Sequence, residues 1–218
     1  MAYTINTVAT TGTSLEYLRD LYNLVNYEND FYDSVVKDET ALTLTFSKNN
    51  KTLVVYTIPS TLTASSGLKA SVYGDSNSVD VVARIATTFP TTVIKGDNGV
   101  IISIIYQSGL GNSMVVMFGK TVHNNIFYGA RALFSSGTSA LMSSIDDTAE
   151  LSTIYTQESK LANVTQLVPM ITRSDTEIKE WSKDIYAVIR YENTNFNWSV
   201  MTLDGVQYVT NNVIAMKA

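Results

Sequence analysis

Few side chains in this sequence could do chemistry, and their spacing decides what each can do. His123 is the only imidazole, so a Ser-His-Asp site would have to be assembled around it from one of many serines and a distant carboxylate. It stands beside Asn124-Asn125 between two strand candidates, where it reads as an exposed turn residue, and no Gly-x-Ser-x-Gly nucleophile elbow accompanies it. Asp75-Ser76-Asn77-Ser78-Val79-Asp80 opens like a calcium loop, whose alternate oxygens converge on a hard cation. Val79 then takes the fifth place, Asp80 the sixth where the sharp turn needs Gly, and Ala86 the twelfth where a bidentate Glu belongs, so the stretch reads as a solvated turn and no metal site is expected. Asp146-Asp147 with Glu150 is the densest carboxylate group and could bind a cation or serve a paired-carboxylate hydrolysis. Adjacent acids beside a short helix candidate read instead as an exposed polar face. Gly109-Leu110-Gly111 invites a phosphate-loop reading, but Met114 fills the third fingerprint position and no Gly-Lys-Ser/Thr follows, which leaves a β-turn.

The aromatic residues of the last third carry more information. Trp181, Tyr186, Tyr191, Phe196, Trp198 and Tyr208 could stack on sugar rings while Asn, Asp and Thr bond the hydroxyls. Sheet cores and protein interfaces use the same residues, because an aromatic ring supplies large contact area with a polar tip. Packing or a subunit interface is the leading account and glycan binding the second.

Composition closes off whole classes. With 218 residues and 45% apolar side chains, the chain can bury a sizeable core without staples, and 16% charged residues is too few for a disordered solvating chain. A net charge of −5 lacks the basic footprint of phosphate-backbone binding, so nucleic acid is not an expected partner. Zero Cys excludes disulfide frameworks, zinc ribbons, iron–sulfur ligation and thiol nucleophiles. The start, Met1-Ala2-Tyr3-Thr4-Ile5-Asn6, has no basic segment leading into an apolar one, and Val100 to Tyr106 is the longest apolar stretch, so neither a secretory signal nor a membrane span is expected. Without a secretory route, the sequons at Asn50, Asn163 and Asn197 read as products of a Thr- and Asn-rich composition.

The elements follow from periodicity. Thr13-Ser14-Leu15-Glu16 has the capping-box pattern, and Leu18, Leu21, Tyr22 and Val25 follow at helical spacing, with Tyr32, Val35 and Val36 as a continuation of that face. Asn23, Asn26, Asn29 and Asp30 predict a break near 26–30. From residue 41 the period becomes two: Ala41 to Ser47 and Thr52 to Ile58 flank Lys48-Asn49-Asn50-Lys51 as a hairpin, which Pro59 stops. Further strands are expected at Val79 to Ala86, Val100 to Tyr106 (after an Asp97-Asn98-Gly99 turn), Met114 to Phe118, Asn125 to Phe134, Asp184 to Tyr191, Trp198 to Leu203 and Gln207 to Met216, with Asp204-Gly205 as a tight turn. Ser135 to Ser139 is small and polar and leads into a short helix candidate from Ala140 toward Asp147. The expected fold is α+β, mainly antiparallel β in a sandwich or barrel-like arrangement with an N-terminal helix. The expected division is residues 1–136, the helix plus a β domain, and residues 137–218, a smaller region that could pack as one unit with the first.

Leu167-Val168-Pro169-Met170, Trp181 to Tyr186, and Leu203-Asp204-Gly205-Val206-Gln207-Tyr208-Val209-Thr210-Asn211-Asn212-Val213-Ile214-Ala215 together resemble the ending of small structural proteins of tailed bacteriophages. The resemblance implies a virion part of the capsid surface, neck or tail, with no catalytic residues to carry over. The expected function is therefore a non-enzymatic virion component that acts through protein–protein interfaces as a homo-oligomer among other virion proteins, made in the bacterial cytoplasm, with no cofactor. The alternative is a module that binds carbohydrate or a host receptor, and a wall hydrolase using Asp146 or Asp147 ranks third. Interface candidates are Leu18, Leu21, Tyr22 and Val25 on the helix and Trp181, Tyr186, Trp198 and Tyr208 in the C-terminal region.

Overall fold

The computed structural model describes residues 3–63, 66–74, 78–84, 90–97, 99–104, 113–133, 140–144, 152–153, 166–173, 178–189, 198–211 and 214–218. The chain begins in strand β1 (Thr4–Val8) and passes into helix α1 (Ser14–Val25). Thr13 caps that helix as its sequence requires: its hydroxyl accepts from the Glu16 amide at 3.1 Å, and the Glu16 carboxylate accepts from the Thr13 amide at 2.8 Å. The helix ends at Asn26, whose N–H still reaches the Tyr22 carbonyl at 2.8 Å. Tyr32, Val35 and Val36 do not continue its face. The Asn29 side chain accepts from the amides of Phe31 and Tyr32, an Asx turn that redirects the chain into β2 (Ser34–Asp38), where Val35 is buried and Val36 is exposed.

Strands β2, β3 (Thr43–Lys48), β4 (Lys51–Thr57), β5 (Gly67–Tyr73) and β6 (Ser78–Arg84) form a five-stranded meander. The β3–β4 turn sets both Asn49 and Asn50 at positive φ, 51° and 62°, the type I′ geometry that matches strand twist. The chain then rejoins β1 through β7 (Thr91–Gly96) and continues as β8 (Gly99–Ile104), β9 (Ser113–Lys120), β10 (Ile126–Leu133), β11 (Ala140–Ser144) and the short β12 (Ser152–Thr153), giving a seven-stranded antiparallel sheet. Residues 140–144 are thus a strand and not the start of a helix: pairing of Ala140–Ser144 with Phe127–Arg131 overrides local propensity. The last sheet, in the order β13 (Gln166–Arg173), β14 (Ile178–Ile189), β17 (Ile214–Lys217), β16 (Val206–Thr210), β15 (Ser199–Leu203), is also antiparallel throughout.

The three sheets stack, with the seven-stranded one in the middle. Because strand side chains alternate faces, Val100, Ile102, Ile104, Val116 and Phe118 join a core with α1 and the β2–β6 sheet, while Ile101, Val115, Met117 and Phe127 join a second core with Ile185, Val209, Ile214 and Met216 of the C-terminal sheet. This is why β8 reads Gly-Val-Ile-Ile-Ser-Ile with every residue buried. The fold is mainly antiparallel β, sandwich-like and without a closed barrel, with α1 as the one helix among the described residues. The seven-stranded sheet runs across residue 137, and the C-terminal sheet is a unit of its own pairing.

Candidate functional site

The helix face is spent inside the chain. Leu18, Leu21 and Val25 are fully buried in the first core, and Tyr22 packs against that core half-buried with the Lys37 ammonium 5.0 Å from its ring centre. The C-terminal aromatics lie in the opposite outer layer, so the two sets of interface candidates are not brought together. Trp198 packs against the second core. Trp181 is 41% exposed; its carbonyl accepts from the Val122 amide at 2.9 Å, and Val122 is itself exposed, so the pair forms an apolar spot where β14 is stitched to the end of β9.

Tyr186 and Tyr208 face away from the second core. Register sets Ala215 between their strands, and the rings meet edge-on with centroids 5.7 Å apart. The Tyr186 hydroxyl donates to the Lys183 carbonyl at 2.7 Å, and burial together with the Asp184 charge raises its pKa. Met201, Leu203 and Val206, half-buried, extend the same face through the Met201–Tyr208 and Leu203–Val206 pairs. Tyr191 and Phe196 lie outside the described residues.

Sequence reasoning passed over one concavity, a cleft of about 590 Å³ between the loop at Tyr27–Phe31, Thr4 of β1, the Lys95–Asp97 corner and Lys120. Both of its lysines are engaged within it. The Lys120 ammonium sits 2.6 Å from the Asp30 carboxylate, which holds that carboxyl below its usual range, and the Lys95 ammonium lies 4.4 Å from the centre of the Tyr27 ring. Burial pushes the Tyr27 hydroxyl up to about 12. The arrangement pins the loop to the middle sheet and holds no nucleophile poised against a base. Asp30 and Lys120 are ninety positions apart, so no local motif could have signalled them.

His123 is exposed in the turn that follows β9, where Asn124 takes a φ of 64°. Asp80 lies within β6, accepting from the Ser71 hydroxyl at 2.6 Å with Lys69 at 3.3 Å, contacts that lower its pKa. Asp75 to Asn77, Gly109 to Gly111, Asp146, Asp147, Glu150, Asn163 and Asn197 lie outside the described residues. Among the described residues no group of three or more His, Cys, Asp or Glu could hold a metal ion, and no helix is long and apolar enough to cross a membrane. No family model matches the chain, and no curated protein or solved structure is significantly similar to it.

Proposed function

We propose that this chain is a non-enzymatic structural component of a tailed-phage virion, present in repeated copies and acting through protein–protein interfaces. One observation supports an interface role above the others. The C-terminal sheet buries one face on the second core, and its other face carries Tyr186, Tyr208, Met201, Leu203 and Val206, each partly exposed. Solvent-facing strands of a free-standing protein normally alternate to polar residues, and contiguous apolar surface with aromatic anchors is the composition of an interface centre. The virion assignment draws on the resemblance of this same C-terminal stretch to phage structural proteins.

The test is direct. Mass spectrometry of purified phage particles should find the chain at a copy number set by particle symmetry, and replacing Tyr186 and Tyr208 by Ser should lower its incorporation while the isolated protein keeps its β-sheet spectrum. A chain absent from particles, or one whose double variant is incorporated unchanged, would defeat the reading.

A further inference from the structure

Among the described residues the three stacked sheets have six outer strands, and most of them carry a device against pairing with another chain. β12 is two residues long. β2 carries Lys37 and Asp38, and β6 carries Asp80. β13 contains Pro169, which has no N–H to give, and its ladder shifts register twice. β1 has α1 packed against it and the 27–31 loop across the cleft from Thr4. β15, Ser-Val-Met-Thr-Leu, has neither charge, proline nor bulge and pairs with β16 in unbroken register. Charges, proline, bulges and very short strands are the means by which natural sheets prevent edge-to-edge association, so a five-residue edge with neither charge, proline nor bulge is a template for another strand.

We propose that β15 is a self-pairing edge, through which two copies of this chain join antiparallel about a two-fold axis at Met201. The proposal rests on the repeated-copy reading above and names the surface that joins the copies. The local geometry supplies the match. Asp204 and Gly205, at φ 50° and 77°, form a two-residue turn between the paired Leu203 and Val206. In such a hairpin the closing pair is hydrogen-bonded and bonded pairs alternate. Leu203, Met201 and Ser199 therefore aim their backbone groups at β16, and Val200 and Thr202 aim theirs at the open edge. A two-fold at Met201 sets Val200 opposite Thr202 of the partner subunit and Thr202 opposite Val200 of the partner subunit, so the outward donors and acceptors satisfy one another without a register slip. Val200 adds a reason for occupancy: it shares the inward face of Val209, which is fully buried, yet is 50% exposed itself. No like charges meet across the axis.

An edge this short buries far less than the roughly 1,200–2,000 Å² of a stable complex. Pairing is accordingly weak between two free copies and gains from many copies held together, and the experiment must trap it. The chain has no cysteine, so Met201→Cys introduces a unique thiol. In the non-bonded pair on the axis the two Cα atoms stand about 4.5 Å apart, within disulfide reach, whereas Val200→Cys faces Thr202 and not its own copy. Mild oxidation of the full chain, concentrated and in particles, should give roughly ten-fold more covalent dimer for Met201→Cys than for Val200→Cys. Adding Val200→Pro should abolish the dimer, because it removes an outward N–H and leaves the β15–β16 ladder intact; unchanged circular dichroism verifies that the sheet persists. Equal cross-linking of the two cysteine variants, no cross-link, or a Met201→Cys adduct to a different protein would each overturn self-pairing. Such a result in a chain still found in particles leaves the virion reading standing, and a Met201-specific dimer in a chain absent from particles removes the virion reading and keeps the edge.

Discussion

The two cores on either side of the middle sheet are built by different means. The first is aromatic and pinned by polar contacts. Tyr32 packs edge-on against Phe46 and Phe118, each with centroids 5.2 Å away, and its hydroxyl donates to the Val25 carbonyl at the helix end. The buried Tyr17 hydroxyl lies 2.6 Å from the Thr91 hydroxyl and 3.1 Å from that of Tyr56, joining helix, outer sheet and middle sheet at one point; burial pushes its pKa up to about 12. The second core is aliphatic, with Met117, Met216 and Phe127, and gains closeness by leaving side chains out. Gly99 and Gly119 pair across β8 and β9, and Ile185 of β14 fills the notch: a Cβ on Gly99 would lie 2.8 Å from the Ile185 methyl, and one on Gly119 would lie 2.6 Å from the Phe127 ring and 3.1 Å from that methyl. Directional contacts define one arrangement, whereas methyl-in-notch packing depends on shape alone. The contrast makes the first core the determinant of the fold and the second a docking surface for the C-terminal sheet.

Neighbouring residues of one strand test this most sharply. Ile102 faces the first core and Ile101 the second, both essentially inaccessible to solvent. Truncation of either to Ala should cost about 2–5 kcal/mol. Ile102→Ala should lower the midpoint of global denaturant unfolding. Ile101→Ala should instead accelerate amide exchange in β14, β16 and β17 while β3–β5 stay protected. Identical exchange patterns in the two variants would mean that the cores unfold as one, and the contrast would fail.

A smaller effect is expected at the notch. Gly119→Ala forces Phe127 and Ile185 to yield, an overpacking cost of about 1–3 kcal/mol. Adding Ile185→Val, which withdraws the methyl that the new Cβ meets, should recover part of the lost melting temperature. Additive loss in the double variant would show that Ile185 does not seat there.

What was legible in the sequence follows the same division. Capping residues set the start of α1 and the period its buried face, with the end bracketed by the break at 26–30, and the burial of β8 was visible as an apolar run, since a middle strand needs apolar residues at every position. Val35 and Val36 misled because an apolar pair fits a helix face and a strand equally well; the Asn29 turn decides the matter through hydrogen bonds that have no spacing signature. Ala140–Ser144 was misread because its structure comes from a partner strand. Gly99 read as turn chemistry, but it opens β8 and its missing side chain serves a residue more than eighty positions later. The cleft charges and the notch depend on register between distant strands, which no local pattern contains. The β15 hairpin, by contrast, was readable from Asp204-Gly205 alone, and the vulnerability of its edge becomes visible only once the sheet order shows which strand is outermost.

The smallest expected effect concerns Asp184, a buried acid of the C-terminal sheet. Asp184 lies beside Tyr186 and is 5% exposed. Burial raises its pKa, partly countered by the charges of Lys217 and Lys183, and Tyr186 is the other titratable group coupled to it. An acid whose folded pKa stands above its unfolded value binds its proton more tightly in the native state, so stability falls as pH rises through that window. The cost is absent well below the ordinary aspartate value and complete above the raised one. Asp184→Asn removes the charge and keeps the shape; it should raise the melting temperature slightly at pH 7 and leave it unchanged near pH 3. The surface beside α1 and β2 provides the control: Glu39, held down to about 2 by Arg19 and Lys37, is exposed and has the opposite sign, contributing stability that is lost as pH falls from the ordinary glutamate range toward 2. Glu39→Gln should therefore lower the melting temperature slightly at pH 7. A destabilised Asp184→Asn protein at neutral pH would show that the carboxylate is satisfied in place and that the outer face of the C-terminal sheet is held together by charge as well as by shape.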